Sequence, residues 1–450
     1  MSPSSSGDLP SSTPLTSALG RRALLRGVAG LAGAALLPVG LTACGSTSKG
    51  TSSPGSGSGG GAITFGSNYS DTSTRTAFAA LTRAATGATG TGITINTVDH
   101  NTFQQTINTY LQGTPNDLFT WFAGYRMQFF ADQGLIGQID DVWDSIGAGF
   151  NDAAKALSRG LDGHYYFVPM YNYPWVVWYS RSLFASKGYT VPATWDEFVA
   201  LAQRMKTDGL VPLAFADKDG WPALGTFDII NLRVNGYDYH IKLMKHEIPW
   251  TDKGVTSVFD QWAQLLPYCQ QGANGRIWQD AAKALENKQA GMMFQGSNQV
   301  AANYAAANLP DLDFFVYPVI NPTYGTDYMD APTDGFCLSR KAKNPAAARK
   351  ILEFLGTGPA ESIFLESDKW DVGVASKVDP SGYDTVQKKG LAAIGACKAV
   401  SQFMDRDTDP GFASNVMIPA VQHFIDNHGQ SDIAGLQKSI EAQAKSIFAG

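Results

Sequence analysis

"YNYPWVVWY", Tyr171 to Tyr179, places five aromatic side chains in nine residues. An extended chain turns alternate side chains to opposite faces. Tyr171, Tyr173, Trp175, Val177 and Tyr179 then share one face, and Asn172, Pro174, Val176 and Trp178 the other. A stretch of this kind either fills a core or borders a binding site, and the sequence around it decides which.

Upstream, short apolar runs alternate with helical stretches. "AITFGS" reads as a strand, residues 73–86 as a helix, "GITINTVD" as a second strand and "NDLFTWF" as a third. Between the last two lies "NTFQQTINTYLQG", a helix with Asn101 as its N-cap and Gly113 past its end. "MQFFADQGLI" is helical and turns at Gly134. A βαβαβ rhythm of this kind implies a parallel sheet with helices on both faces. Parallel sheets present ligands beyond the carboxyl ends of their strands. The positions of interest are therefore Asn68-Tyr69-Ser70-Asp71, Asp99-His100 and Trp121 to Arg126. Downstream, Thr194 and Glu197 form a capping box.

The 450 residues are enough for two or three domains, and the composition is globular, with 44% hydrophobic and 16% charged residues. A net charge of −6, with no basic run after Arg26, argues against nucleic acid as a partner. The N-terminus carries Arg21-Arg22 and Arg26, then an apolar run from Gly27 to Leu41. At about 15 residues this run is shorter than the roughly 20 that a spanning helix needs. It contains Pro38 and several Gly, so it reads as the core of a signal peptide, and the paired arginines point to twin-arginine export. "LTAC" looks like a bacterial lipobox, with Cys44 as the lipidated first residue of the mature chain. A flexible Gly/Ser tether to residue 61 follows. Without residues 1–43 the chain holds 31 basic and 39 acidic residues and, besides Cys44, three cysteines, Cys269, Cys337 and Cys397, which allow at most one disulfide.

Four segments, in order, resemble one family. "GTPNDLFTWFAGYRMQFFADQGLIGQIDD" resembles the "G-x-PD…GLL-x-L-D" stretch of the sugar-binding proteins of ABC importers. "DGHYYFVPMYNYPWVVWYSRSLFASKGYTVPATWDEF" resembles their "G-x-x-Y-x-x-P…YN-x-x-L-F…G…P-x-TW-x-E". "LENKQAGMMFQGS" and "GFCLSRKAKNPAAARKILEFL" resemble two later segments, and the match spans about residues 62–375. The chain is thus similar to the extracellular solute-binding family that includes maltose-binding protein. The resemblance implies an α/β fold of two hinged lobes, each a sheet flanked by helices. Residues 62–172 and 333–370 would form the first lobe, and 173–332 and 371–450 the second. The chain would cross near Tyr171, Thr333 and Asp371, so Tyr171 to Tyr173 border the cleft while Trp175 to Tyr179 enter the second lobe's core.

A sugar offers hydroxyls and an apolar face, so its site combines flat aromatics with planar polar groups. The resemblance implies ligand contacts from Asn68, Tyr69 and Asp71, a stacking Trp121, and Arg126, whose rigid fork suits paired hydroxyls. Tyr171, Asn172 and Tyr173 join them at the crossing, Trp221 from the turn "DKDGWPALG", and Asp334 and Trp370 at the other crossings. Asn298 stands where the family often places a stacking Trp, a departure from the maltose site. The expected function is a lipid-anchored, monomeric receptor outside the cytoplasmic membrane. It would capture a carbohydrate, an oligosaccharide, for a membrane permease, with no cofactor and no metal. The alternatives are an anchored glycoside hydrolase, whose paired carboxylates would include Asp71 and Asp334, and a receptor of the same fold for a non-sugar solute. G-x-S-x-G, P-loop and H-E-x-x-H signatures are absent, and Pro249 breaks the helix that His246-Glu247 would need. His240 and His246 read as surface residues, and Asp405 to Gly411 as a solvated loop rather than a calcium site.

Overall fold

The computed structural model describes residues 61–376 and 378–449. The expected signal peptide and Cys44 lie outside the described residues. Two main sheets organise the chain. The first has six strands in the order β11-β4-β10-β3-β1-β2. These are β1 (Ile63–Ser67), β2 (Ile93–Thr97), β3 (Leu118–Phe122), β4 (Phe167–Asn172), β10 (Thr333–Leu338) and β11 (Val372–Gly373). The second has the order β6-β7-β5-β8, with β5 (Trp175–Ser180), β6 (Val211–Leu213), β7 (Ala290–Gly296) and β8 (Leu312–Phe315). A small pair, β9 (Tyr328–Asp330) and β12 (Ala399–Ser401), runs parallel.

β1 lies parallel to both β2 and β3, the βαβαβ unit expected from the hydrophobic rhythm. β10 returns antiparallel between β3 and β4. Helix Thr72–Thr89 stops at Gly90, whose φ of +69° suits a residue without a Cβ. The capping box of Thr194 and Glu197 forms. Asp99, not Asn101, caps helix His100–Gln112, accepting from the Thr102 N–H at 3.0 Å. Trp221 is not in a turn. It opens the buried helix Trp221–Asn235, where Pro222 costs nothing in the first turn.

"YNYPWVVWY" is two strands rather than one. β4 ends at Asn172 in the first sheet, and β5 starts at Trp175 in the second. Pro174 lacks the N–H that a continuous ladder would require. Beyond the break, Trp175, Val176, Val177 and Trp178 are buried on both faces of a central strand. A second passage between sheets runs through Ala331 and Pro332, whose carbonyl accepts from the Tyr173 N–H at 3.3 Å. Val372–Gly373 still pairs with Asn172 and Tyr171 in the first sheet, although the sequence reading begins the second lobe at 371.

Three minor readings change. His240 is fully buried, hydrogen-bonded to the Asn231 amide at 3.1 Å, and burial lowers its pKa to about 3. His246 is half-buried against Glu441. Asp405 to Gly411 is no solvated loop: Met404–Asp407 forms a helix whose Arg406 is buried and whose Asp405 is ion-paired. Cys269, Cys337 and Cys397 are free thiols.

Candidate functional site

The carboxyl ends of β1 and β2 face the second sheet's domain, and the turn after β1 is held by its own polar side chains. The Asn68 N–H donates to Thr120 Oγ1 at 2.9 Å, and the Thr120 hydroxyl donates back to Asn68 Oδ1 at 2.8 Å. Asp71 is the N-cap residue of helix Thr72–Thr89, yet its carboxylate makes no capping bond and is left for the cleft. Around this turn lies a cavity lined by Asn68, Tyr69, Asp71, Thr74 and His100, by Tyr171 and Asp334 at the crossings, and by Trp278, Asn298 and Gln299 from the facing half. It holds about 370 Å³ free of atoms, part of it open to solvent.

Its walls carry unused hydrogen-bonding capacity. Tyr69 OH, Trp278 Nε1, Asn298 Oδ1 and Gln299 Oε1 are buried without a partner. Each such group costs about 1–3 kcal/mol unless something fills it. Unpartnered indole N–H groups occur elsewhere in the core, but here hydroxyl, indole and amide groups together surround one cavity.

Acids dominate the charge. Asp334 accepts from Arg406 Nη1 at 2.7 Å and from the Tyr171 hydroxyl at 3.1 Å. Arg406 also donates to the Tyr173 hydroxyl at 2.6 Å. Behind the wall, Asp368 is fully buried with both oxygens unpartnered, and Asp371 has one oxygen unpartnered and the other 3.4 Å from the Ser297 hydroxyl. Burial, then neighbouring acids, pushes Asp371 well up. Burial lifts Asp368 to about 7 and Asp71 to about 6. Burial lowers His100 to about 4, with Arg406 adding to the effect, so the ring is neutral at pH 7. Its nitrogens face the Asn68 and Gln104 amides. The site is thus polar and rich in acceptors, and the nearby guanidinium groups of Arg406 and Arg126 are already paired, with Asp334 and Asp405. No group of three or more His, Cys, Asp or Glu among the described residues is placed to hold a metal ion.

Of the residues expected from sequence, Asn68, Tyr69, Asp71, Tyr171, Asn298 and Asp334 line the cavity. Six do not. Trp121 is fully buried against Phe103, Phe122 and Phe130, on the opposite face of β3 from Thr120, whose hydroxyl holds the Asn68 turn. Arg126 is spent on Asp405 at 2.7 Å and Gln104 at 2.8 Å. Asn172 accepts from Thr333 within the sheet, and Tyr173 holds Arg406. Trp370 packs edge-on against Trp178. Trp221 stands beside His100 and Trp278 without lining the cavity, donating from Nε1 to Asn101 Oδ1 at 3.2 Å.

Thr74, Trp278 and Gln299 line the cavity without any signal in the sequence analysis, and His100 does so from a strand-end position marked there without a contact role. Thr74 is one helical turn beyond Asp71. Trp278 opens helix Trp278–Glu286, where no strand precedes it, so the strand-end rule passes it by.

The sequence pattern of the family described as bacterial extracellular solute-binding protein matches residues 71–360. An uncharacterised ABC transporter extracellular-binding protein of Pyrococcus horikoshii is 27% identical over 293 residues, 63% of this chain and 64% of its own length. The chain therefore spans just under two thirds of that relative. The α-glucosides-binding periplasmic protein AglE of Rhizobium meliloti is 24% identical over 78% of this chain and 81% of its own. Among solved structures, the bacterial solute receptor AcbH is 69% identical, with a TM-score of 0.85 over 87% of this chain and all of its own; it is described as having an exclusive substrate preference for β-D-galactopyranose. A chitin oligosaccharide binding protein, 18% identical with a TM-score of 0.76, shares the fold over 86% of this chain and 99% of its own. The chain belongs to the bacterial extracellular solute-binding protein family.

Proposed function

We propose that the protein is the receptor of an ABC importer, capturing a neutral hexopyranose in this cleft and passing it to the membrane permease without chemical turnover. The observation that carries the reading is the cavity at the carboxyl ends of β1 and β2. Buried, unpartnered polar groups surround it, and Trp278 supplies an apolar plate. A pyranose fits that pattern because its hydroxyls supply the missing partners and its C–H face meets the indole. Walls drawn from both halves favour capture by hinge closure.

A cavity of about 370 Å³ suits a single ring better than the oligosaccharide expected from the sequence. The 69% identity to a receptor with a stated preference for β-D-galactopyranose makes that sugar the first to test. Asp334 is tied up by Arg406 and Tyr171, which argues against its service as a hydrolase's acid or nucleophile. The twin arginines, the lipobox and the tether support export and anchoring through Cys44, with the protein acting as a monomer at the outer face of the membrane.

Calorimetric titration with β-D-galactopyranose tests the receptor. Saturable binding is expected, with the sugar recovered intact. Absence of binding to any hexopyranose, or release of a reaction product, contradicts it. Cys44→Ala should release the protein from membranes, and full retention would contradict the anchor.

A further inference from the structure

We infer that the contact between Asn101 and Trp221 sets the size limit of the ligand, sealing the cleft where a second sugar ring would have to lie. The inference rests on the receptor reading above and concerns two residues that do not line the cavity.

Asn101 stands in the first turn of the helix that follows β2, and Trp221 opens helix Trp221–Asn235 beside the second sheet. The Trp221 Nε1–H donates to Asn101 Oδ1 at 3.2 Å, so the bond spans the cleft. Its place relative to the cavity is fixed by two wall residues. His100 lines the cavity from one side and Trp278 from the other. The Trp221 ring centroid lies 6.3 Å from each of them. A chain of sugar rings leaving the cavity between His100 and Trp278 therefore meets the Trp221 indole.

That indole has nowhere to retreat. Trp175 and Phe403 pack behind it, at 6.2 and 6.4 Å between centroids. The helix that carries it is pressed onto the same two rings: a Cβ at Gly225 would fall 2.5 Å from Trp175 and 2.7 Å from Phe403. The hinge side of the cleft is shut as well, by Asp334, Arg406 and Tyr173 in one hydrogen-bonded chain. A single ring meets the polar wall without disturbing either barrier, whereas a disaccharide must break the Asn101–Trp221 bond and displace the ring.

The test compares β-D-galactopyranose with the galactose-bearing disaccharide lactose by calorimetry, in the full-length parent, Trp221→Ala and Asn101→Ala. The parent is expected to bind galactose and to bind lactose at least about a hundredfold more weakly. In Trp221→Ala that gap should shrink by about tenfold or more, through a gain for lactose, while galactose affinity changes less than tenfold. Asn101→Ala, on a half-buried helix end, should shift the gap the same way by a smaller factor, and it decides the matter if Trp221→Ala does not fold. Variants that bind galactose yet discriminate against lactose as the parent does overturn the inference, as does a parent that binds the two alike. A parent that binds neither sugar overturns the receptor reading itself.

Discussion

Two tryptophans of the molecule are almost equally buried, Trp121 fully and Trp278 to 2% exposure, yet their surroundings differ in kind. Trp121 sits among Phe103, Phe122 and Phe130 in a cluster of apolar side chains packed on the first sheet. Trp278 faces a cavity it shares with Asn298, Gln299 and Tyr69, each holding a buried polar atom without a partner. An aromatic ring alone therefore does not mark a sugar site. What marks it is an aromatic ring beside hydrogen-bonding groups that the protein itself leaves unanswered.

The strongest way to break this comparison is to damage the frame of the cleft. Arg406→Ala leaves Asp334 buried and unpaired, and should cost about 3–5 kcal/mol of stability in denaturant unfolding. A loss below about 1 kcal/mol would show that the pair is not the cleft's support. Next in size come the tryptophans themselves. Trp278→Ala should weaken hexose binding by about 1–3 kcal/mol, tenfold or more. Trp121→Phe should instead cost about 1–3 kcal/mol of stability and leave the affinity of the folded protein within about threefold.

A double-mutant cycle on Arg126 and Asp405 should give a coupling energy of about 0.5–3 kcal/mol in stability. That figure fits an ion pair joining helix Tyr125–Asp132 to helix Met404–Asp407, rather than a sugar contact.

A separate effect is on pH dependence. Burial raises Asp368 to about 7, and Asp330 and Asp407 likewise to about 7. The folded state then binds more protons than the unfolded chain between about pH 4 and 7. Stability should therefore fall as pH rises through that window and level off above it. Melting curves from pH 5 to 8 should show Tm dropping by a few degrees. Asp368→Asn should flatten part of the slope and raise Tm at pH 8, and a Tm that climbs with pH would contradict the assignment.

The fold was legible because it rests on period and order. The βαβαβ alternation placed β1, β2 and β3 in a parallel sheet, and the stretch from Tyr171 to Tyr179 marked a passage between sheets. Half of the expected contacts line the cavity, and these lie at strand ends or crossings, where topology alone fixes position: Asn68, Tyr69 and Asp71 after β1, Asn298 after β7, and Tyr171 and Asp334 where chains cross. The failures needed three-dimensional facts. Trp121 depends on which way one strand residue points. Arg126 was lost to Asp405, 279 residues away in sequence. Trp278 starts a helix with no strand before it, so nothing local separates it from the core tryptophans Trp250 and Trp262.

The central claim is that the polar cavity beside Trp278, not the aromatic core around Trp121, receives the sugar. Calorimetric titration of β-D-galactopyranose into the parent, Trp278→Ala and Trp121→Phe, each checked for folding by circular dichroism, tests it most directly. The account predicts saturable binding by the parent and Trp121→Phe within about threefold of each other, and at least about tenfold weaker binding by Trp278→Ala. Unchanged affinity in Trp278→Ala, with binding lost in a folded Trp121→Phe, would contradict it.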